Sequence, residues 1–329
     1  MIYDYAIVGG GIVGVSTAWQ LKQRLPDARI TVIEKEDHLS AHQTGHNSGV
    51  IHAGVYYQPG SMKALFCRRG VDETIRFSRE NNIPFEQCGK LIVATDAAEL
   101  SRMEDLVARC RDNDIDSDRL SAEELNVLEP RISGVGAILA KTTGIADYPA
   151  ICRTMAAKFE DLGGEIKLGL EVTAVREMAN EVVVQAGSQE IHASHLIVCA
   201  GIMSDRLADM LSIDVDFSMV PFRGEYYRLP PEKNNIVKHL IYPVPDPALP
   251  FLGVHLTRMI EGCVTVGPNA VLGFSREGYA KGSINGRDIV DMVRFGGFWK
   301  LMKQHMATGI SEMKNSLSKS GYLERCRKY

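Results

Sequence analysis

Residues 42–57 read H-Q-T-G-H-N-S-G-V-I-H-A-G-V-Y-Y and place His42, His46 and His52 on one glycine-punctuated stretch. Imidazole is the side chain best matched to proton transfer near neutral pH, and it is also a common metal ligand. Two further stretches carry chemistry-bearing residues. F-L-G-V-H-L-T-R (251–258) holds His255 and Arg258, and P-F-R-G-E-Y-Y-R-L (221–229) holds Arg223. Arginine grips a carboxylate bidentately. In a regular strand, alternation puts His255 with Thr257 on one face and Arg258 with Val254 and Leu256 on the other. Both would serve one substrate only if Arg258 sits at the strand end or a bulge intervenes. No metal is expected, because no helix aligns His42 with His46 and no nearby cysteine or carboxylate completes a ligand set. Each histidine has a plainer reading as a hydrogen-bonded structural residue. Arg223 can equally pair with Glu225, and Tyr56 and Tyr57 can be packing aromatics.

What must position these groups is written at the N-terminus. Gly9-x-Gly11-x-x-Gly14 follows an apolar strand, Tyr3–Val8, and opens a helix, Ile12–Leu25, that stops at Pro26-Asp27. Gly9 permits the tight turn, Gly11 lets a pyrophosphate approach the backbone, and Gly14 lets helix and strand pack closely. Ile12 and Val13, at the helix start, offer free N–H groups and the positive end of the helix dipole to phosphate. A second buried strand, Ile30–Ile33, ends in Glu34-Lys35, where Glu34 can bind ribose hydroxyls and would repel a 2′-phosphate. NADP is thereby disfavoured. FAD is preferred to NAD because a long loop carrying Thr44, Ser48 and Gly49 follows, and because a three-strand meander (172–193, beginning at Val172) precedes an apolar run ending in Ala200-Gly201.

Capping-box residues Ser121 and Glu124 predict a short helix ending at Pro130. Helices are expected over 61–80, 97–110, from Asp147 to about 162, and 288–305; residues 136–140 and 144–146 read as a hairpin, and strands dominate 217–271. The chain of 329 residues suggests two domains. The reading divides it into an FAD-binding domain (1–80 and 148–212) with a parallel sheet, a substrate domain (81–147 and 213–300) with a mostly antiparallel sheet, and a helical segment (301–329). A net charge of −4 gives no strong field toward nucleic acid. Seven dispersed cysteines without a CxxC fit a reducing cytosol rather than a disulfide framework. No window is long and apolar enough to span a membrane, and peripheral contact with the cytoplasmic face of an inner membrane is compatible with the composition.

D-Y-A-I-V-G-G-G-I-V-G, the 42–57 stretch, P-F-R-G-E-Y-Y-R-L and Y-P-V-P-D-P-A-L-P-F-L-G-V-H-L-T-R together resemble the FAD-dependent L-2-hydroxyglutarate dehydrogenase (oxidase) family, within the D-amino-acid and glycine oxidase-like flavoproteins. The resemblance covers essentially the whole chain and implies an α/β, two-domain, Rossmann-like fold. It implies hydride removal from C2 of L-2-hydroxyglutarate to flavin N5, giving 2-oxoglutarate, with electrons passed to a quinone chain or oxygen. His52 or His255 is then the expected base, with Arg258, Arg223 and Tyr57 as substrate ligands. An amine substrate of the glycine, sarcosine or D-amino-acid type is the rival enzyme reading. Family members extend several tens of residues beyond the counterpart of Tyr329, adding a strand and a loop to the FAD domain. A non-catalytic, flavin- or partner-binding remnant is therefore a third reading.

Overall fold

A computed structural model describes residues 2–247, 252–317, 322 and 327–328. Residues 248–251 of the family-like stretch, and 318–321, 323–326 and 329 of the expected helical tail, lie outside the described residues. The chain forms two compact units, Met1–Asn47 with Tyr148–Pro221 and Gly273–Lys300, and Ser48–Asp147 with Phe222–Leu272 and Leu301–Tyr329.

The first unit is built on a six-stranded sheet in the order Val172–Glu177, Val182–Ala186, Gln189–Val198, Ile2–Val8, Ile30–Ile33, Glu165–Lys167. The last four strands run parallel, and the first three form an antiparallel meander. The meander's third strand and the apolar run before Ala200 prove to be one ten-residue strand, Gln189–Val198, where the sequence reading separates them. Its first half pairs antiparallel with Val182–Ala186, while its second half pairs parallel with Ile2–Val8, Val8 opposite Val198. Strands buried on both faces carry apolar residues in succession. Thus Ile7, Ile30 and Val32 pack with Ala18 and Phe159 of the helices Ile12–Arg24 and Tyr148–Asp161, while Ala6, Val8 and Ile33 pack with Val184, Ile191 and Leu207.

Residues 273–300, which the sequence reading places in the substrate domain, group instead with the first unit. Their anchorage is ionic. The buried Arg276 pairs with Asp205 in the Ser204–Met210 helix and donates its backbone N–H to Asp288, whose carboxylate also takes Arg206 at 2.6 Å. The expected 288–305 helix is two, Gly286–Arg294 and Gly296–Leu317, the second kinked at His305.

In the second unit a seven-stranded sheet runs Phe222–Arg228, Val264–Leu272, His255–Arg258, Leu240–Pro243, Lys90–Ala94, Gly136–Ala140, Ser117–Ser121. Every neighbouring pair is antiparallel except Leu240–Pro243 with Lys90–Ala94. Alternation sends Leu91, Val93, Ile241, Leu256 and Val264 to one core. Ile92, Ala94, Ile138, Leu240 and Tyr242 go to another, which the Ala97–Asp112 helix covers with Met103, Leu106 and Cys110. The expected hairpin of 136–140 with 144–146 does not form. Gly144–Ala146 has both edges taken by Val50–Ile51 and Phe85–Glu86 in a separate three-stranded sheet, and Gly136–Ala140 inserts between two strands of the large one. The capping box is present, with Glu124 N donating to Ser121 Oγ and Ser121 N to the Glu124 carboxylate. No helix among the described residues is long and apolar enough to cross a membrane.

Candidate active site

In the first unit the glycine turn is tight enough to exclude side chains. Gly9 sits at φ +115, and a Cβ there would meet the Cys199 carbonyl oxygen at 2.4 Å; one on Gly14 would meet the Gly9 oxygen at 2.0 Å. At Gly11 a Cβ would press on Thr44 Oγ1 at 3.3 Å and, among the described residues, would meet nothing else within 4 Å. No side chain caps that helix from Gly11. Thr44 Oγ1 accepts from Ile12 N at 3.0 Å, and Val13 is exposed on the first turn. The buried Glu34 follows the Ile30–Ile33 strand and accepts from Gly10 N at 2.5 Å and Glu36 N at 2.9 Å, which leaves lone pairs on its carboxylate for hydroxyl donors. Val172 is buried in the meander, and Ala200-Gly201 follow the long strand, Gly201 at φ +54. A phosphate at the helix start and a ribose at Glu34 fit these residues.

The three histidines of the 42–57 stretch have separate roles. His42 Nε2 lies 2.9 Å from Glu36 and 3.3 Å from Glu277, and the Lys35 ammonium is bonded to the same Glu277. Although Glu36, His42 and Glu277 stand close enough to share an ion, Lys35 already supplies positive charge there. His46 stacks on Tyr279, ring centroids 3.6 Å apart. His52 belongs to the second unit, as do Ser48 and Gly49; Gly49 accepts from Ala146 N at 2.8 Å, aligning the Val50–Ile51 strand that leads to His52.

Within the second unit, His52 and His255 converge on Tyr242. Tyr242 stacks on His255 at 3.9 Å between centroids and meets His52 edge-on at 6.5 Å. His255 Nδ1 lies 3.0 Å from the Gly253 carbonyl. A carbonyl only accepts, so Nδ1 carries the hydrogen and Nε2 keeps its lone pair. Burial pushes the His255 pKa down to about 4, with the Gly253 bond opposing and the nearby Lys90 charge assisting. His52 keeps solvent access, yet protein surrounds it closely enough that desolvation, then Lys90 and His255, hold its pKa below the usual histidine value. Cys67 Sγ donates to the His52 carbonyl at 2.8 Å and steadies the loop.

Arg258 stands at the end of its strand, as its service beside His255 would require, but it is engaged. It donates to both oxygens of Glu86, at 2.6 and 3.0 Å, and to the Lys238 carbonyl. Arg223 donates to Glu225 at 2.7 Å. Tyr57 is exposed, and its carbonyl accepts from Asn113. Two residues at the histidines, Lys90 and Tyr242, receive no role in the sequence reading, Tyr242 only heading one of the quoted stretches. Each lies inside a short apolar strand, K-L-I-V-A or L-I-Y-P, where composition says only core. Registering the two strands, Leu240 opposite Lys90 and Tyr242 opposite Ile92, would have put both on one face.

The FAD dependent oxidoreductase family (DAO) matches residues 4–306. The chain is 52% identical over its whole length to an L-2-hydroxyglutarate dehydrogenase of Salmonella houtenae, covering 78% of that protein, and 51% identical to that of Escherichia coli (strain K12), with the same coverage. Among solved structures, it is similar to an L-alpha-glycerophosphate oxidase from Mycoplasma pneumoniae with FAD bound (TM-score 0.74, 25% identity, 91% of this chain and 78% of that one). It also shares the fold of a glycine oxidase from Geobacillus kaustophilus (TM-score 0.72, 16% identity, 90% and 77%). The dinucleotide turn, the two-unit α/β architecture and these likenesses agree: the chain belongs to the FAD dependent oxidoreductases, on their L-2-hydroxyglutarate dehydrogenase branch.

Proposed function

We propose that the chain oxidises L-2-hydroxyglutarate to 2-oxoglutarate. The observation that carries the reading is the His52–Tyr242–His255 cluster, with its tautomer-fixed imidazole, in a chain half identical over its full length to proteins of that activity. FAD, when bound, supplies the hydride acceptor. The chain's own residues hold the reactants and move the proton. Gly9, Gly11 and Gly14 shape the turn, and Val13 presents its helix N–H to phosphate beside Ile12, whose own N–H is held by Thr44 Oγ1. Glu34 takes ribose hydroxyls, and Lys35, Thr44, Val172, Ala200 and Gly201 of the same unit supply further cofactor contacts. His255 Nε2 accepts the 2-hydroxyl proton as C2 loses its hydride, and His52 shares the acid–base work. Because both histidines titrate low, they are neutral, and so able to accept a proton, throughout the physiological range.

Arg258, whose contacts occupy three of a guanidinium's five N–H groups, is assigned with Arg223 and Tyr57 to the substrate's distal carboxylate. Electrons leave for oxygen or for a membrane quinone chain, acceptors that oxygen-consumption and quinone-reduction assays separate. The functional test is anaerobic mixing of the flavin-loaded protein with L-2-hydroxyglutarate, its D-enantiomer, glycine, sarcosine and D-amino acids while the flavin band is followed. Rapid bleaching by L-2-hydroxyglutarate alone is expected, and preferential bleaching by an amine would reject the assignment.

A further inference from the structure

Lys90 begins the Lys90–Ala94 strand, between Leu240 on one side and Ala140 on the other, and only 1% of it is exposed. A lysine is almost never this buried without a counter-charge. Among the described residues its ammonium forms no ion pair. What faces it instead are two aromatic rings, Tyr56 at 4.7 Å and Tyr242 at 5.2 Å from the centroids. Cation–π contacts offset only part of the cost of burying a charge. The two arginines of the unit's candidate site differ in this respect, each being bonded to its own glutamate. The charge of Lys90 also reaches both histidines and lowers their proton affinity.

We infer that the Lys90 ammonium binds the substrate carboxylate attached to the reacting carbon, an assignment that rests on the function proposed above. The carboxylate and hydroxyl of a 2-hydroxy acid sit on adjacent carbons, so a cation beside the base is placed for the first while the base serves the second. The same charge favours loss of the hydroxyl proton toward a neutral imidazole. The tyrosine rings and the apolar face of Ile92 and Ala94 keep the ammonium from water until the anion arrives, which strengthens the pair.

The test compares Lys90→Met and Lys90→Arg with the parent protein, each checked for an unchanged flavin spectrum. KM is measured for L-2-hydroxyglutarate and for L-2-hydroxybutyrate, whose only carboxylate is the one beside the reacting carbon. Kd is measured calorimetrically for glutarate. The methionine variant is expected to weaken all three by roughly 10- to 100-fold, the scale of a lost charge-assisted hydrogen bond, and arginine to recover part of the loss. Burial pushes the Lys90 pKa down to about 8, so glutarate affinity in the parent protein should fall as pH rises through that value and stay flat in Lys90→Arg. The other groups facing the ammonium are His52, His255, Tyr56, Tyr242, Cys67 and Cys110. Both histidines are already neutral there, and burial raises Tyr242 and the two thiols above their ordinary values. Unchanged affinity in Lys90→Met, a fall in kcat at constant KM, or weakening confined to the diacids would each overturn the assignment. If the methionine variant fails to fold, the pH profile of Lys90→Arg decides. A parent protein that neither binds glutarate nor oxidises L-2-hydroxyglutarate would overturn the functional reading itself, whereas a parent that does both and is matched by Lys90→Met refutes only the role of Lys90.

Discussion

In the first unit the dinucleotide turn works through side chains that are not there: Gly9 and Gly14 leave room for carbonyl oxygens that a Cβ would strike. In the second unit the histidine cluster works through side chains brought together from a loop and three strands, His52, Lys90, Tyr242 and His255. The turn's glycines lie within six consecutive residues, Gly9 to Gly14, so their spacing is local even though the carbonyl that crowds Gly9 belongs to Cys199. The cluster spans positions 52 to 255, and its geometry depends on strand register. The proposed function gives one region the holding of a cofactor and the other the movement of a proton, and substitutions should separate the two tasks.

The largest effect belongs to the cluster. His255→Ala should lower kcat by roughly 10²- to 10⁴-fold, the range of a lost general base, with flavin content unchanged. Single-turnover flavin bleaching checks it, and a matching loss of flavin would erase the division between the regions. The pH profile sharpens the same point. A base must be unprotonated, and the His255 pKa is lowered to about 4. Activity should therefore persist as pH falls through 6 and fail only toward 4. An acid limb near the usual histidine value would place the base elsewhere.

Next in size, Gly14→Ala drives a methyl group into the Gly9 carbonyl oxygen. Overpacking of this kind costs about 1–3 kcal/mol, read as a lower flavin-to-protein ratio and a lower Tm, while glutarate binding by the second unit should survive. Glu34→Gln removes the charge that accepts Gly10 N and is assigned to ribose, and should weaken FAD binding roughly 10-fold. Smallest is Ser121→Ala. Loss of this cap should cost about 1 kcal/mol of stability and leave both flavin content and kcat untouched, since the capping box lies in neither region.

The same contrast explains what could be read from the residues alone. Strand, glycine turn, helix, strand and Glu34 were legible because each depends on neighbours a few positions away. His52 and His255 were legible as histidines in distinctive stretches, but their meeting at Tyr242 was not. Lys90 was hidden by its surroundings, for a lysine heading an apolar strand looks like a strand terminus until its partner strands are registered. The false hairpin of 136–140 with 144–146 has the same origin. Adjacent strands usually pair, and here each found better partners elsewhere. The grouping of residues 273–300 with the first unit was not legible, because ionic anchorage between Arg276 and Asp205, 71 positions apart, leaves no pattern in sequence.

The Gln189–Val198 strand also bears on the order in which the chain folds. Its first half bonds to a strand reached through the Gly187-Ser188 turn, whereas its second half waits for Ile2–Val8 from the far end of the unit. Short loops close at little entropic cost and long ones at more, so the meander can assemble early and leave half a strand standing as a template for the N-terminus. Truncating Val184 or Ile191 should then slow refolding, while truncating Ile7 should chiefly speed unfolding, a distinction that stopped-flow chevrons on the two sets of variants would register.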